Sequence, residues 1–215
     1  MNTCAVIPFY NESITINKII EDTLRYVELV IAVNDGSTDD SVSKILLNEN
    51  VIVLNEQENR GKGFALRKGF AKAVELGYNT VITLDADLQH NPESIPDLLS
   101  GLKNFDLVLG NRLKDLSGMP FQRRMSNKLT SFLLSLKTGM KIIDSQCGFR
   151  AFGVEVFRKV LTRSNGYEAE SEIIILAARA GFNIGFVEVQ SIYGNEKSKI
   201  NPLKAILGFI KILFY

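Results

Sequence analysis

Two carboxylates separated by one residue, with an amide two positions further on, form the most chemically loaded stretch of the chain: Asp85-Ala86-Asp87-Leu88-Gln89-His90. In an extended segment the side chains at i and i+2 point the same way, so Asp85, Asp87 and Gln89 would share one face. Carboxylate and amide oxygens are hard ligands suited to Mg²⁺ or Mn²⁺, which keep water ligands and bridge to diphosphate oxygens. A loop with helix-capping aspartates would contain the same triplet. Its position directly after an apolar run favours the metal.

Two other polar clusters could act with it. Asn34-Asp35-Gly36-Ser37-Thr38-Asp39 also follows an apolar run. Gly36 permits a tight turn and Ser37 or Thr38 can cap a following helix. Capping leaves Asp35 unexplained, and its carboxylate suits the hydrogen-bonding edge of a nucleobase. Asn59-Arg60-Gly61-Lys62-Gly63 precedes a helical pattern. Its glycines, its cations and the helix N-terminus together favour a phosphate, although the GxxxxGK[ST] spacing of a P-loop is absent.

These clusters need a frame that brings them together. Apolar runs at 3–7, 29–33, 51–54, 80–84 and 107–109 read as strands buried on both faces. Between them lie helical stripes: Ile16, Ile19, Ile20, Leu24 and Val27, then Phe64, Leu66, Phe70, Val74 and Leu76, ending at Gly77. Pro92 opens another helix, one more is expected over 123–137 and another over 170–180, and a strand over 184–189. Such alternation implies an α/β sandwich around a mostly parallel sheet, whose ligands bind beyond the carboxyl ends of the strands. The polar clusters should therefore converge on one rim.

Composition narrows the function. The 215 residues carry a net charge of +1, without the basic excess of a nucleic-acid binder. Cys4 and Cys147 form neither a disulfide framework nor a zinc motif, and His90, the sole histidine, excludes a multi-histidine site. No signal-peptide pattern precedes the first strand, and no apolar stretch reaches the roughly 18–20 residues of a membrane span. A cytoplasmic protein is expected, peripheral at most on the inner face of the cell membrane.

In order, the clusters resemble the motifs of family 2 glycosyltransferases with the GT-A, Rossmann-like fold. Pro8-Phe9-Tyr10-Asn11-Glu12 is similar to the family's opening P-x-Y-N-E. Asn34 to Asp39 resembles D-D-G-S-x-D with Asn34 in place of the first aspartate, Asn59 to Gly63 resembles N-x-G-K-G, and Asp85 to Asp87 resembles the metal-binding D-x-D. Asp85 to His90, Gly110-Asn111-Arg112, Arg123-Arg124 with Asn127, and Asp144 to Arg150 are similar to the dolichol-phosphate mannose synthase and bacterial polyprenyl-phosphate branch.

The resemblance implies a metal-dependent, inverting transferase. Its donor would be a sugar nucleotide of the UDP-glucose or GDP-mannose type, and its acceptor a polyprenyl phosphate. It places the donor among Pro8, Tyr10, Asn11, Glu12, Asp35, Gly61, Lys62, Asp85, Ala86, Asp87, Arg112 and Arg150, with Asp35 on the base. Asp87 and Gln89 would hold Mg²⁺ or Mn²⁺ with Asp85 beside it, and Arg112, Arg124 and Lys199 would meet the acceptor phosphate. The segment 191–200 resembles the family's mobile loop.

A phosphomonoester acceptor has a second pKa of about 6 and arrives largely ionised, so it needs positioning more than deprotonation. A sugar hydroxyl would need a general base. Glu170, Glu172 and Asp144 are the candidates, and Glu172 resembles the branch's acidic position. Residues 1–200 form the expected catalytic domain. From 201, a cap, Pro202 and an apolar face with Lys204 and Lys211 predict a short amphipathic helix that lies in a membrane interface or packs on protein. The other readings are transfer to a saccharide hydroxyl and a silent sugar-nucleotide-binding protein.

Overall fold

The computed structural model describes residues 2–114, 119–192 and 202–214. Strands β1 (Thr3–Phe9), β2 (Leu29–Asn34), β3 (Val51–Asn55) and β4 (Thr80–Thr83) alternate with helices α1 (Ile16–Leu24), α2 (Ser41–Lys44) and α3 (Lys62–Glu75). Helix α4 (Ile95–Gly101), β5 (Leu107–Asn111), α5 (Phe121–Thr138), β6 (Arg150–Gly153) and α6 (Val154–Lys159) follow. Helix α7 (Ala169–Arg179), β7 (Ile184–Glu188) and α8 (Pro202–Leu213) complete the order. The seven strands form one sheet in the order β3-β2-β1-β4-β6-β5-β7. Strand β6 runs antiparallel to β4 and β5, while the β1–β2, β1–β4, β2–β3 and β5–β7 pairs are parallel.

Strand parity builds two cores. Cys4, Val6, Ile31, Val33 and Val81 face one layer with Leu66 and Phe70 of α3, Phe157 of α6 and Ile174 of α7. Ala5, Ile7, Val30, Ala32 and Ile82 face the other with Ile16, Ile19 and Ile20 of α1 and Ile95 and Leu98 of α4. The continuous apolar runs are thus explained by burial on both faces. The expected sandwich with a mostly parallel sheet is the observed one.

Strand β6 was not expected. It has only four residues, and its first, Arg150, is a charged side chain that breaks the apolar pattern while lying buried in the interior.

Helix α5 inverts the usual arrangement. Its buried positions are Asn127, Ser131 and Leu134. Phe121, Met125, Leu129, Phe132 and Leu136, spaced by three or four, all point outward. In α8, Ile212 is buried, whereas Leu203, Ile206, Leu207 and Ile210 are exposed. Lys137 Nζ donates to Leu213 O at 2.8 Å, tying the end of α5 to the end of α8. Among the described residues, no helix is long and apolar enough to cross a membrane.

Candidate active site

The first two motifs lock together beyond the ends of β1 and β2. Asn11 adopts a left-handed backbone, φ 54°. Its Oδ1 accepts from Thr38 N at 2.8 Å and Asp39 N at 3.3 Å, and its own N donates to Ser37 Oγ at 2.9 Å. Glu12 N donates to Ser41 Oγ at 2.7 Å. Asn34, at the position of the usual aspartate, accepts from Ser37 N at 2.9 Å and donates to Asn55 Oδ1 at 2.5 Å. Its amide thereby shapes the turn and pairs β2 with β3.

Asp35 joins the third motif. Its Oδ1 accepts from Arg60 N at 2.9 Å and its Oδ2 from Gly61 N at 2.8 Å. Burial raises its pKa, and these two backbone donors oppose the rise. Gly61 has φ 102°, and a Cβ there would lie 2.3 Å from Asn165 O, so this turn requires glycine.

The phosphate expected at the start of α3 meets a competitor. Asn165 O already accepts from Gly63 N at 2.7 Å and Phe64 N at 3.3 Å. Lys62 points elsewhere: its Nζ lies 2.5 Å from Asp85 Oδ1 and 2.9 Å from Glu170 Oε1. Lys62, expected among the donor-binding residues, thus sits within the Asp85 cluster. Arg60 stacks on Phe64, its guanidinium carbon 3.8 Å from the ring centroid.

The Asp85–His90 segment is a turn rather than an extended strand, with Leu88 at φ 59°. The geometric premise for a shared face fails here. Asp85 meets Lys62, while Asp87 Oδ1 accepts from Gln89 N at 3.1 Å. Burial would raise the Asp85 pKa, but Lys62 and further positive charge lower it overall. Asp85 is thereby kept ionised. Ala86 is buried behind the turn.

Gly148 forms one wall of this cluster. A Cβ there would lie 2.7 Å from Asp85 Oδ2, 2.9 Å from Lys62 Nζ and 3.0 Å from Glu170 Oε1. Beyond it, His90 is buried against Phe149 with Nδ1 unpaired, and burial lowers its pKa to about 4. Gln89 O accepts from Ile192 N at 2.9 Å, so the residues leading into 193–200 are pinned to the Asp85–His90 turn. Lys199 lies outside the described residues.

A second charged cluster follows β5. The buried carboxylate of Asp144 accepts from Arg112 Nε and Nη2, both at 2.9 Å, from Arg112 N at 3.1 Å and from Asn127 Nδ2 at 2.7 Å. Burial would raise its pKa, yet the Arg112 hydrogen bonds and charge lower it overall. Arg124 stands one helical turn before Asn127 on α5 and is half-buried.

Two expected site residues have structural partners. The Arg150 side chain is 1 % exposed and donates to Cys147 O, Glu170 O and Ser145 O at 2.7, 2.7 and 3.0 Å. It ties β6 to α7. Glu172 accepts from Arg163 N at 3.0 Å and Ser164 N at 2.9 Å, anchoring the segment that caps α3. Glu170, not Glu172, faces the Lys62–Asp85 pair. Positions i and i+2 of a helix face different ways, which made one of the two the inward residue without saying which.

Comparisons of sequence and fold show what this chain is similar to. The family model described as "Glycosyl transferase family 2" matches residues 4–161. The UDP-N-acetylglucosamine–dolichyl-phosphate N-acetylglucosaminyltransferase of Methanococcus voltae is 32% identical, covering 95% of this chain and 90% of its own. The undecaprenyl-phosphate mannosyltransferase of Micrococcus luteus is 29% identical over 86% of this chain and 81% of its own. In fold, the chain is similar to the glucosyl-3-phosphoglycerate synthase of Mycobacterium tuberculosis, solved with Mn²⁺, UDP and phosphoglyceric acid. That likeness has a TM-score of 0.75 at 20% identity and covers 99% of this chain and 76% of the other.

Proposed function

Because the chain belongs to glycosyl transferase family 2, we propose that it transfers a sugar, with inversion, from a nucleotide diphosphate donor of the UDP-glucose or GDP-mannose type to a polyprenyl phosphate. One observation carries the choice of acceptor. The three candidate bases are already engaged: Glu170 by Lys62, Glu172 by backbone N–H groups, and Asp144 by Arg112 and Asn127. Burial would raise the Asp144 pKa, but the Arg112 hydrogen bonds and charge hold it below the ordinary carboxylate range, which makes it a poor proton acceptor. An acceptor that arrives ionised needs no base, and Arg112 and Arg124 supply the positive charge that such a phosphate seeks. The names of the Methanococcus and Micrococcus relatives support the same acceptor class.

The oxygen donors of Asp85, Asp87 and Gln89 fit Mg²⁺ or Mn²⁺. Among the described residues no three or more His, Cys, Asp or Glu side chains converge, so in this reading diphosphate oxygens and water would complete the ion's shell. When bound, the ion supplies charge neutralisation for the departing nucleoside diphosphate. Lys62 keeps Asp85 ionised, and in this reading Asp35 meets the base while bracing the 60–61 turn.

A lipid-linked acceptor also fits the outer surface. Helices α5 and α8 carry Arg123, Arg124, Lys128, Lys137, Lys204 and Lys211 and no acidic residue, beside exposed Phe, Leu and Ile. Cationic residues flanking an apolar face suit the interface of an anionic bilayer. In this reading residues 1–200 form the catalytic domain and 201–215 extend its membrane face.

Presenting polyprenyl phosphate, the matching polyprenol and free saccharides in parallel tests the acceptor. Transfer to the phosphate alone is expected. Transfer to the polyprenol or a saccharide at comparable rate would overturn the proposal.

A further inference from the structure

We infer that Asp144 and Asn127 are positioning residues for Arg112, and that α5 is the strut through which this arginine is held toward the acceptor. The inference rests on the reading of Arg112 as a ligand of the acceptor phosphate.

A guanidinium is a planar fork, so fixing one of its edges fixes the direction of the rest. Asp144 engages the Nε–Nη2 edge with both oxygens and also holds the Arg112 backbone N–H. Asp144 is completely buried and is itself over-determined, accepting further from Gln146 N at 3.2 Å and Asn127 Nδ2 at 2.7 Å. The Asn127 amide can face only one way: its Oδ1 accepts from Ser131 Oγ at 3.0 Å, leaving Nδ2 toward Asp144. Ser131 Oγ in turn accepts from Ser145 N at 3.0 Å, and Thr130 Oγ1 lies 3.0 Å from Ser145 Oγ. Three positions on one helix thus secure two consecutive residues of the 144–146 loop.

This explains why α5 is inside out. An apolar inner face would pack at least as well but would leave the Asp144 carboxylate and the Ser145 amide short of partners, at a cost that buried polar groups rarely bear. The polar inner face serves the arginine, and the apolar outer face points away from the protein. A helix seated on a lipid surface through Leu129 and Phe132 would therefore set the height and angle of Arg112 relative to a lipid-borne phosphate.

The test is a double-mutant cycle on transfer to a short-chain polyprenyl phosphate in detergent, using Arg112→Ala, Asp144→Asn, Asn127→Ala and Arg112→Ala/Asp144→Asn. Asp144→Asn is expected to raise the acceptor KM by roughly 10–100-fold, the range seen when a group that orients a ligand is lost, with a smaller change in kcat. Asn127→Ala should move the same constant in the same direction. The double variant should transfer about as well as Arg112→Ala, because the positioning residue has nothing left to position.

A double variant whose loss equals the product of the two single losses would overturn the inference, since Asp144 would then act by itself. A loss confined to kcat would also overturn it. If Arg112→Ala alone uses the lipid phosphate as well as the unaltered enzyme, the reading of Arg112 has failed and the inference falls with it. Should Asp144→Asn not fold, the cycle of Asn127→Ala with Arg112→Ala measures the same coupling, and additive losses there overturn the inference equally.

Discussion

Lys62 Nζ sits 2.5 Å from Asp85 Oδ1 and 2.9 Å from Glu170 Oε1, so a single ammonium neutralises carboxylates from two distant parts of the chain. It links the start of α3 to the turn after β4 and to α7. The lysine side chain is only 12% exposed, and its pKa is raised despite the opposing effect of burial, because both carboxylates favour its charged form. Removing it would leave two negative charges facing each other in a poorly hydrated space.

Lys62→Met is therefore expected to destabilise the fold by about 3–5 kcal/mol, the usual cost of stripping one partner from a buried ion pair. Gly148→Ala presses on the same three groups from the opposite side. It should reduce metal-dependent turnover with a smaller stability loss. Denaturant melts with turnover assays on both variants check this, and a Lys62→Met variant as stable as the parent would contradict it.

The sign of the pH effect follows from Asp144. Its folded pKa lies below the ordinary value of 3.8, so its contribution to stability is present above that pH and is lost as the pH falls through the lower folded value. Urea midpoints measured from pH 7 to 3 should show a shallower acid limb for Asp144→Asn than for the unaltered chain. Identical limbs would show that the carboxylate gains nothing on folding.

Glu170 and Glu172 should separate cleanly. Glu172→Gln weakens the anchor of the 163–165 segment and is expected to cost about 1–3 kcal/mol of stability, with turnover retained by the folded fraction. Glu170→Gln should lower turnover by releasing Lys62 from one of its two partners. Turnover and urea midpoints of the two variants, compared side by side, test the assignment. Loss of chemistry in a stably folded Glu172→Gln would restore that residue as the base.

Much of this was legible in the sequence, and the failures have physical causes. Continuous apolar runs located β1 to β5, because parallel strands buried on both faces leave that pattern. The rule that ligands gather beyond strand ends brought Asn11, Asp35 and Asp85 to one rim. Strand β6 escaped because Arg150, a charged residue, is satisfied inside the protein by three carbonyls that no local pattern reveals. The start of α3 reads as a phosphate site because a glycine-rich helix start usually has open amides. Here Asn165, distant along the chain, caps two of them.

The exposed stripe of α5 gives a prediction about surfaces. Leu129 and Leu136 are 59% and 67% exposed on the outer face of α5. Burying such side chains in a lipid interface contributes about 1.5–3 kcal/mol each. The pair of substitutions Leu129→Ser and Leu136→Ser should lower partitioning onto anionic vesicles at least tenfold while leaving transfer to a detergent-dispersed acceptor unchanged. Co-sedimentation decides, and unchanged partitioning would count against the membrane face.

The most direct test of the proposed reaction is transfer of radiolabelled sugar from a panel of UDP- and GDP-sugars to a short polyprenyl phosphate, with Mg²⁺ or Mn²⁺ and with chelator. Labelling of the lipid by one donor, abolished by chelator and by Asp87→Ala, is the predicted result. Lipid labelling that persists in chelator would contradict the metal site, and no labelling from any donor would contradict the acceptor.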